Sequence, residues 1–138
     1  MLKYKIVIRK NPSTREKKYH AQLIPVTPVY IEQLAEAISA KCTVTRADVK
    51  AVLAALEEQI VLNLQSGNSV RLGDLGSFHP TISTKSANSF EEFTPQHIQR
   101  VNVRFRRSAK MAYALSTSNP NVVFKCVSEA PVEEGETA

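Results

Sequence analysis

Residues 99–106 read QRVNVRFR. Apolar side chains fall at Val101, Val103 and Phe105, and polar ones at Arg100, Asn102, Arg104 and Arg106. A period of two over this length is the pattern of a β-strand with one covered face. The register is strict, because a slip of one residue would carry the arginines into the covered side. The chain must therefore build a sheet that is apolar on one face and cationic on the other.

The partners for that strand precede it. VRLGDLGSFHP, from Val70 to Pro80, reads as two short strands around a glycine corner at Gly73 and Gly76. The expected strands are Ser69–Leu72 and Ser77–Thr84, with Pro80 at an edge or bulge because it cannot donate to a ladder. Thr94-Pro95 resembles a cap followed by a first-turn proline and predicts one short helical turn. Ser108 is expected to cap a short helix over 109–115, and VVFKCV, residues 122–127, reads as a last strand.

Two helices come before the corner. Thr27-Pro28 predicts a helix start, with Ile31, Leu34, Ala35 and Ile38 on its apolar stripe and an end near Cys42. Thr45, with Asp48 three residues on, predicts the start of a second helix. Its stripe is Val49, Val52, Leu53, Leu56, Ile60 and Leu64, and Gly67 follows it at a plausible C′ position. At the front of the chain, Leu2–Ile8 and YHAQLIPV (19–26) predict a β-hairpin with a long tip. Three units result: an N-terminal hairpin over 1–26, a main domain over 27–127, and an acidic tail over 128–138 expected to be disordered.

The formal net charge is +5. Residues 1–30 carry +6 and residues 67–110 carry +4, whereas residues 31–66 and 111–138 carry −2 and −3. Cations therefore concentrate in strands and favour an anionic partner. Arginines two apart on a strand lie about 6.6–6.8 Å from one another, and guanidinium grips phosphate bidentately. A plain solvated face would alternate in the same way. Three arginines with Arg107 and Lys110 behind them, beside the polar row Ser77, His79, Thr81 and Ser83, favour phosphate.

Other classes are disfavoured. His20, His79 and His97 lie in separate elements without metal-ligand spacing, so no metal or other cofactor is expected. No nucleophile–histidine arrangement, P-loop or GxGxxG is present, and the pairs Glu57-Glu58 and Glu91-Glu92 read as solvated charge, so an enzyme with a small-molecule substrate is not expected. Cys42 and Cys126 read as reduced thiols of a cytoplasmic protein. No apolar run reaches 18 residues, so no membrane contact is expected.

The order helix–turn–helix, strand, glycine corner, strand, loop, basic strand and short helix resembles the bacterial histone-like HU/IHF family. SVRLGDLGSF (69–78) and VNVRFRRSAKMAYAL (101–115) carry the resemblance, through Gly76-x-Phe78 and the basic exit into the last helix. It implies an α+β fold and an intertwined homodimer: a two-helix base, a three-stranded antiparallel sheet and a short C-terminal helix, here with an extra N-terminal hairpin. It also implies a sequence-tolerant, DNA-bending architectural protein of the nucleoid whose sheet sits on the minor groove of double-stranded DNA. Arg71, Arg100, Arg104 and Arg106 become candidate DNA contacts, flanked by Arg107, Lys110 and Lys85. The sequence departs from the family between Phe78 and Phe105, where the arm is short and its middle, SANSFEEFTPQH, is acidic and has no Arg-Asn-Pro tip. Bending is then expected to be milder. Two other readings compete. One is an HU-derived structural or protein-interaction module without tight DNA binding. The other is an RNA or single-strand binder using the basic hairpin, where Tyr4 and Tyr19 would stack bases.

Overall fold

A computed structural model describes residues 1–133, which form two compact units: one of residues 29–113, the other of residues 1–28 together with the chain from 114 onward.

The first unit opens with α1 (Ile31–Ser39) and α2 (Arg46–Gln65). Helix α1 starts later than Thr27-Pro28 predicts. Tyr30 is the cap residue, in extended backbone, and its N–H donates to Gln33 Oε1 at 2.9 Å. An amide three residues on satisfies an orphan donor that Thr27 is too far upstream to reach. Helix α2 begins as expected. Asp48 N–H donates to Thr45 Oγ1 at 3.2 Å, while Thr45 N–H and Oγ1–H both reach Asp48 Oδ2. These bonds hold the Asp48 carboxyl below its ordinary value. At the other end Gly67 takes φ 82°. Its N–H bonds Leu64 O, and Asn68 N–H bonds Asn63 O, both at 3.0 Å, which is the paired closure of a Schellman motif.

Three antiparallel strands follow: β3 (Val70–Leu72), β4 (Gly76–Thr84) and β5 (Ile98–Arg107), in the order β3-β4-β5. Gly76 begins β4 with φ 155° and lies so close to β5 that a Cβ there would overlap the Arg106 carbonyl and the Phe105 ring. Pairing shifts from Ser83–Arg100 to Thr84–Ile98, leaving Gln99 as a bulge. A 3₁₀ turn (Pro95–His97) enters β5, with Phe93 stacked on His97 at 5.1 Å. Ser108 N–H bonds Leu75 O, its hydroxyl donates to Asp74 O, and its Oγ accepts from Met111 N–H. It therefore caps α3 (Ala109–Ala114) and ties that helix to the glycine corner.

The core of this unit is thin. Among the described residues only Ala35 and Val49 of the two helix stripes are buried. The apolar face of β4–β5 stands open, with Val101 66% and Val103 53% exposed. Val61, Leu64, Pro80, Ile82, Val101 and Val103 line a groove of about 690 Å3. Helix α1 is amphipathic as read, whereas α2 carries apolar residues around most of its circumference and so has only a weak stripe; three strands offer too little surface to cover both helices within one chain.

In the second unit β1 (Leu2–Lys10) pairs antiparallel with β2 (Lys17–Leu23). It also pairs parallel with β6 (Phe124–Cys126) and β7 (Val132–Glu133). The late strand expected within the main domain therefore joins the hairpin instead. The tail differs from its sequence expectation as well. Ile6 N–H donates to Ser128 Oγ at 3.0 Å, Val132 lies beside Val7, and Lys10 meets Glu133 at 3.8 Å. Backbone pairing along an open strand edge needs few large apolar residues, so composition did not reveal it. The part of the expected tail from 134 to 138 lies outside the described residues. Cys42 and Cys126 are free and exposed.

Candidate nucleic-acid interface

The register of β3-β4-β5 sorts its side chains into two faces. Arg71 pairs with Ser77, Ser77 with Arg106, His79 with Arg104, Thr81 with Asn102, and Ser83 with Arg100. Paired residues point the same way, so Arg71, Arg100, Arg104 and Arg106 share one face with the small polar row. The opposite rows are Val70, Phe78 and Phe105, then Pro80 with Val103, and Ile82 with Val101. Phe78 and Phe105 lie 5.2 Å apart with rings tilted at 56°, which pins the register on that side.

The polar row is held in place. Ser69 Oγ lies 3.0 Å from His79 Nδ1 and Ser77 Oγ lies 2.8 Å from Nε2, so hydroxyls engage both ring nitrogens. Asn102 donates to Ser83 Oγ at 2.8 Å. The four arginines are exposed, whereas Ser77, His79, Thr81, Ser83 and Asn102 are half-buried. Among the described residues none of these arginines makes an ion pair. The surface is thus a floor of short polar groups beneath long cationic side chains with open donors.

The flanking candidates fall elsewhere. Arg107 pairs with Gly76 and alternates to the other face. At the strand end it still lines, with Arg71, Ser77, His79 and Arg106, a cleft of about 450 Å3. Lys110 meets Asp74 at 3.5 Å, with both side chains largely exposed. Lys85 follows β4, exposed, and its N–H donates to His97 O at 2.8 Å, which closes the arm. Sequence reading missed Ser69. Its role in orienting His79 is set by a contact ten residues away, and no local pattern announces it.

Among the described residues no group of three His, Cys, Asp or Glu is placed to hold a metal, and no helix is long and apolar enough to cross a membrane.

Residues 1–121 match the family model described as HU-HIG, an HU domain fused to a wHTH, Ig or glycine-rich motif. The chain belongs to the HU-HIG family. The HU-HIG match reaches through the N-terminal hairpin as well as the β3-β4-β5 sheet, so the added strands belong to the family pattern. A solved structure of a candidate bacterial DNA-binding protein from Bacteroides vulgatus ATCC 8482 has the same fold, with a TM-score of 0.66 and 17% identity. The alignment covers 95% of this chain and 50% of that one, so this HU-HIG chain spans half the length of the protein it resembles. No curated protein matches the sequence.

Proposed function

We propose that this chain is a non-enzymatic architectural protein that binds double-stranded DNA as a homodimer, with little base preference, through the arginine face of β3-β4-β5. The observation that carries the reading is the placement of Arg71, Arg100, Arg104 and Arg106 on one exposed face above a polar floor. Guanidinium groups on a sheet read phosphate and groove width more readily than base identity. Family membership adds an HU domain to that geometry. The dimer is supported by the open side of the same sheet: Val101, Val103 and Phe105, each at least half exposed, need a second copy to cover them. On this reading the protein works in the cytoplasm, on the nucleoid.

The test is a salt titration of duplex binding. Each phosphate contact contributes about 0.9 to the slope of log affinity against log salt. Arg104→Ala removes one contact per chain, so a dimer should lose about 1.8 from the slope and retain its fold. An unchanged affinity and slope in an intact dimer would refute the arginine-face reading and favour an assembly module instead. Competition with single-stranded DNA and RNA of equal length should leave the duplex preferred.

A further inference from the structure

The sheet of the second unit also has two unlike faces. Along β1, Leu2, Tyr4, Ile6 and Ile8 share one side with their register partners Phe124, Leu23, Ala21 and Tyr19. On the other side Lys3 stands opposite Lys125, Lys5 opposite Gln22, Val7 opposite His20, and Arg9 opposite Lys18. Five cations therefore occupy one face: Lys3, Lys5, Arg9, Lys18 and Lys125. No acidic residue of the four strands falls there; Glu133, in register with Ile8, alternates to the other side and meets Lys10. Among the described residues Lys3, Lys5, Lys18 and Lys125 make no ion pair.

One of these register pairs sets like charges directly opposite each other, Lys3 with Lys125. Such a pair opposes folding, and a polyanion laid across the face would turn that repulsion into attraction. The described residues of this unit hold eight Lys/Arg against three Glu, so it is the more basic of the two units for its size.

We propose that this cationic face is a second site for the backbone of double-stranded DNA, carried by a different unit from the arginine face; the proposal extends the DNA reading above. Lysine is a point charge on a flexible stem and suits phosphate without reading bases. Two apolar residues stand in the row: Val7, only 2% exposed, and its register partner Val132, which is half-buried. The face therefore presents little apolar surface beside its cations, unlike the membrane-surface and protein interfaces that anchor through large apolar side chains. One chain would then make two electrostatic contacts with DNA.

The experiment uses the full chain. Lys3→Gln/Lys5→Gln/Lys125→Gln and Arg100→Ala/Arg104→Ala/Arg106→Ala are compared by salt titration on a random-sequence duplex. Three lost contacts per chain should reduce the slope by about 2.7 for each protomer. The lysine variant should keep or raise the melting temperature, because it removes repulsion. A reduced slope in both variants, adding in the combined protein, supports the proposal. A slope reduced only by the arginine changes overturns it and leaves the first reading intact. A slope reduced only by the lysine changes supports it and overturns the arginine face. Loss of binding to vesicles of anionic phospholipid, with duplex binding unchanged, overturns it in favour of a lipid surface. A second measurement needs no variant: lysine acetylation of the wild-type protein with and without duplex. Several-fold protection of Lys3, Lys5, Lys18 and Lys125, but not of Lys10 and Lys17, is expected. Equal protection of both sets, or of neither, refutes the face.

Discussion

Replacing Gly76 with alanine tests how the sheet is assembled. At φ 155° this residue occupies backbone that L side chains rarely adopt, and its missing Cβ leaves room for the Arg106 carbonyl and the Phe105 ring. Two costs combine. Holding alanine in such a conformation is worth about 1–3 kcal/mol, and forcing a methyl into an occupied site typically adds about 1–3 kcal/mol. Gly76→Ala should therefore destabilise the protein by about 2–6 kcal/mol. Gly67→Ala is the matched control. It has positive φ too, but no atom lies within 4 Å of the added methyl, so only the left-handed cost of about 1–2 kcal/mol applies. Urea denaturation at one fixed protein concentration, with slopes checked for constancy, separates the two. If Gly76→Ala costs no more than Gly67→Ala, the close approach of β4 and β5 is not what the glycine serves. The overlap falls on the backbone of Arg106, so a folded Gly76→Ala protein should also bind duplex more weakly.

Val103→Asp places a charge on the open apolar face and should abolish the proposed dimer; sedimentation of the wild type as a stable folded monomer at micromolar concentration would refute the shared core. Thr45→Ala removes the α2 cap and should cost about 1 kcal/mol in a chemical melt. Because the Asp48 carboxyl is held below its ordinary value by Thr45, the stability it adds is present above the unfolded carboxylate pKa and fades as pH falls through the folded one; the melting difference between wild type and Asp48→Asn should shrink below about pH 4, and a difference that grows there would contradict this. Truncation after Val127 removes the Ser128 bond to Ile6 and the β7 ladder, and should lower stability by about 1–3 kcal/mol at roughly 1 kcal/mol per hydrogen bond; an unchanged melting temperature would show that the segment only rests on β1.

Local chemistry made much of this molecule legible. The alternation through Val101, Val103 and Phe105 placed β5 within a residue at each end, because two faces of opposite polarity leave only one register. Thr45, Asp48 and Gly67 marked α2, since its capping groups sit within three residues of what they satisfy. The start of α1 was obscured because Thr27-Pro28 imitates a cap that Tyr30 and Gln33 provide. Arg107 was expected to flank the arginine face; because a strand reverses at every residue, its pairing with Gly76 sends it to the other side. The docking of 128–133 was hidden because its partner, β1, lies far away in sequence.

That distance matters for synthesis. Ile6 and Ser128, joined by a hydrogen bond, are 122 residues apart. At about 5–20 residues per second the ribosome needs roughly 6–24 s to add them. Throughout that interval β1 and β2 form at most a two-stranded hairpin, which is marginal in water. The residues of α1, α2 and β3 to β5 emerge meanwhile and are free to fold first. The sheet around β1 is thus the last part to close, and a ribosome stalled before residue 124 would display a nascent chain whose most basic strands are still unpaired on one edge.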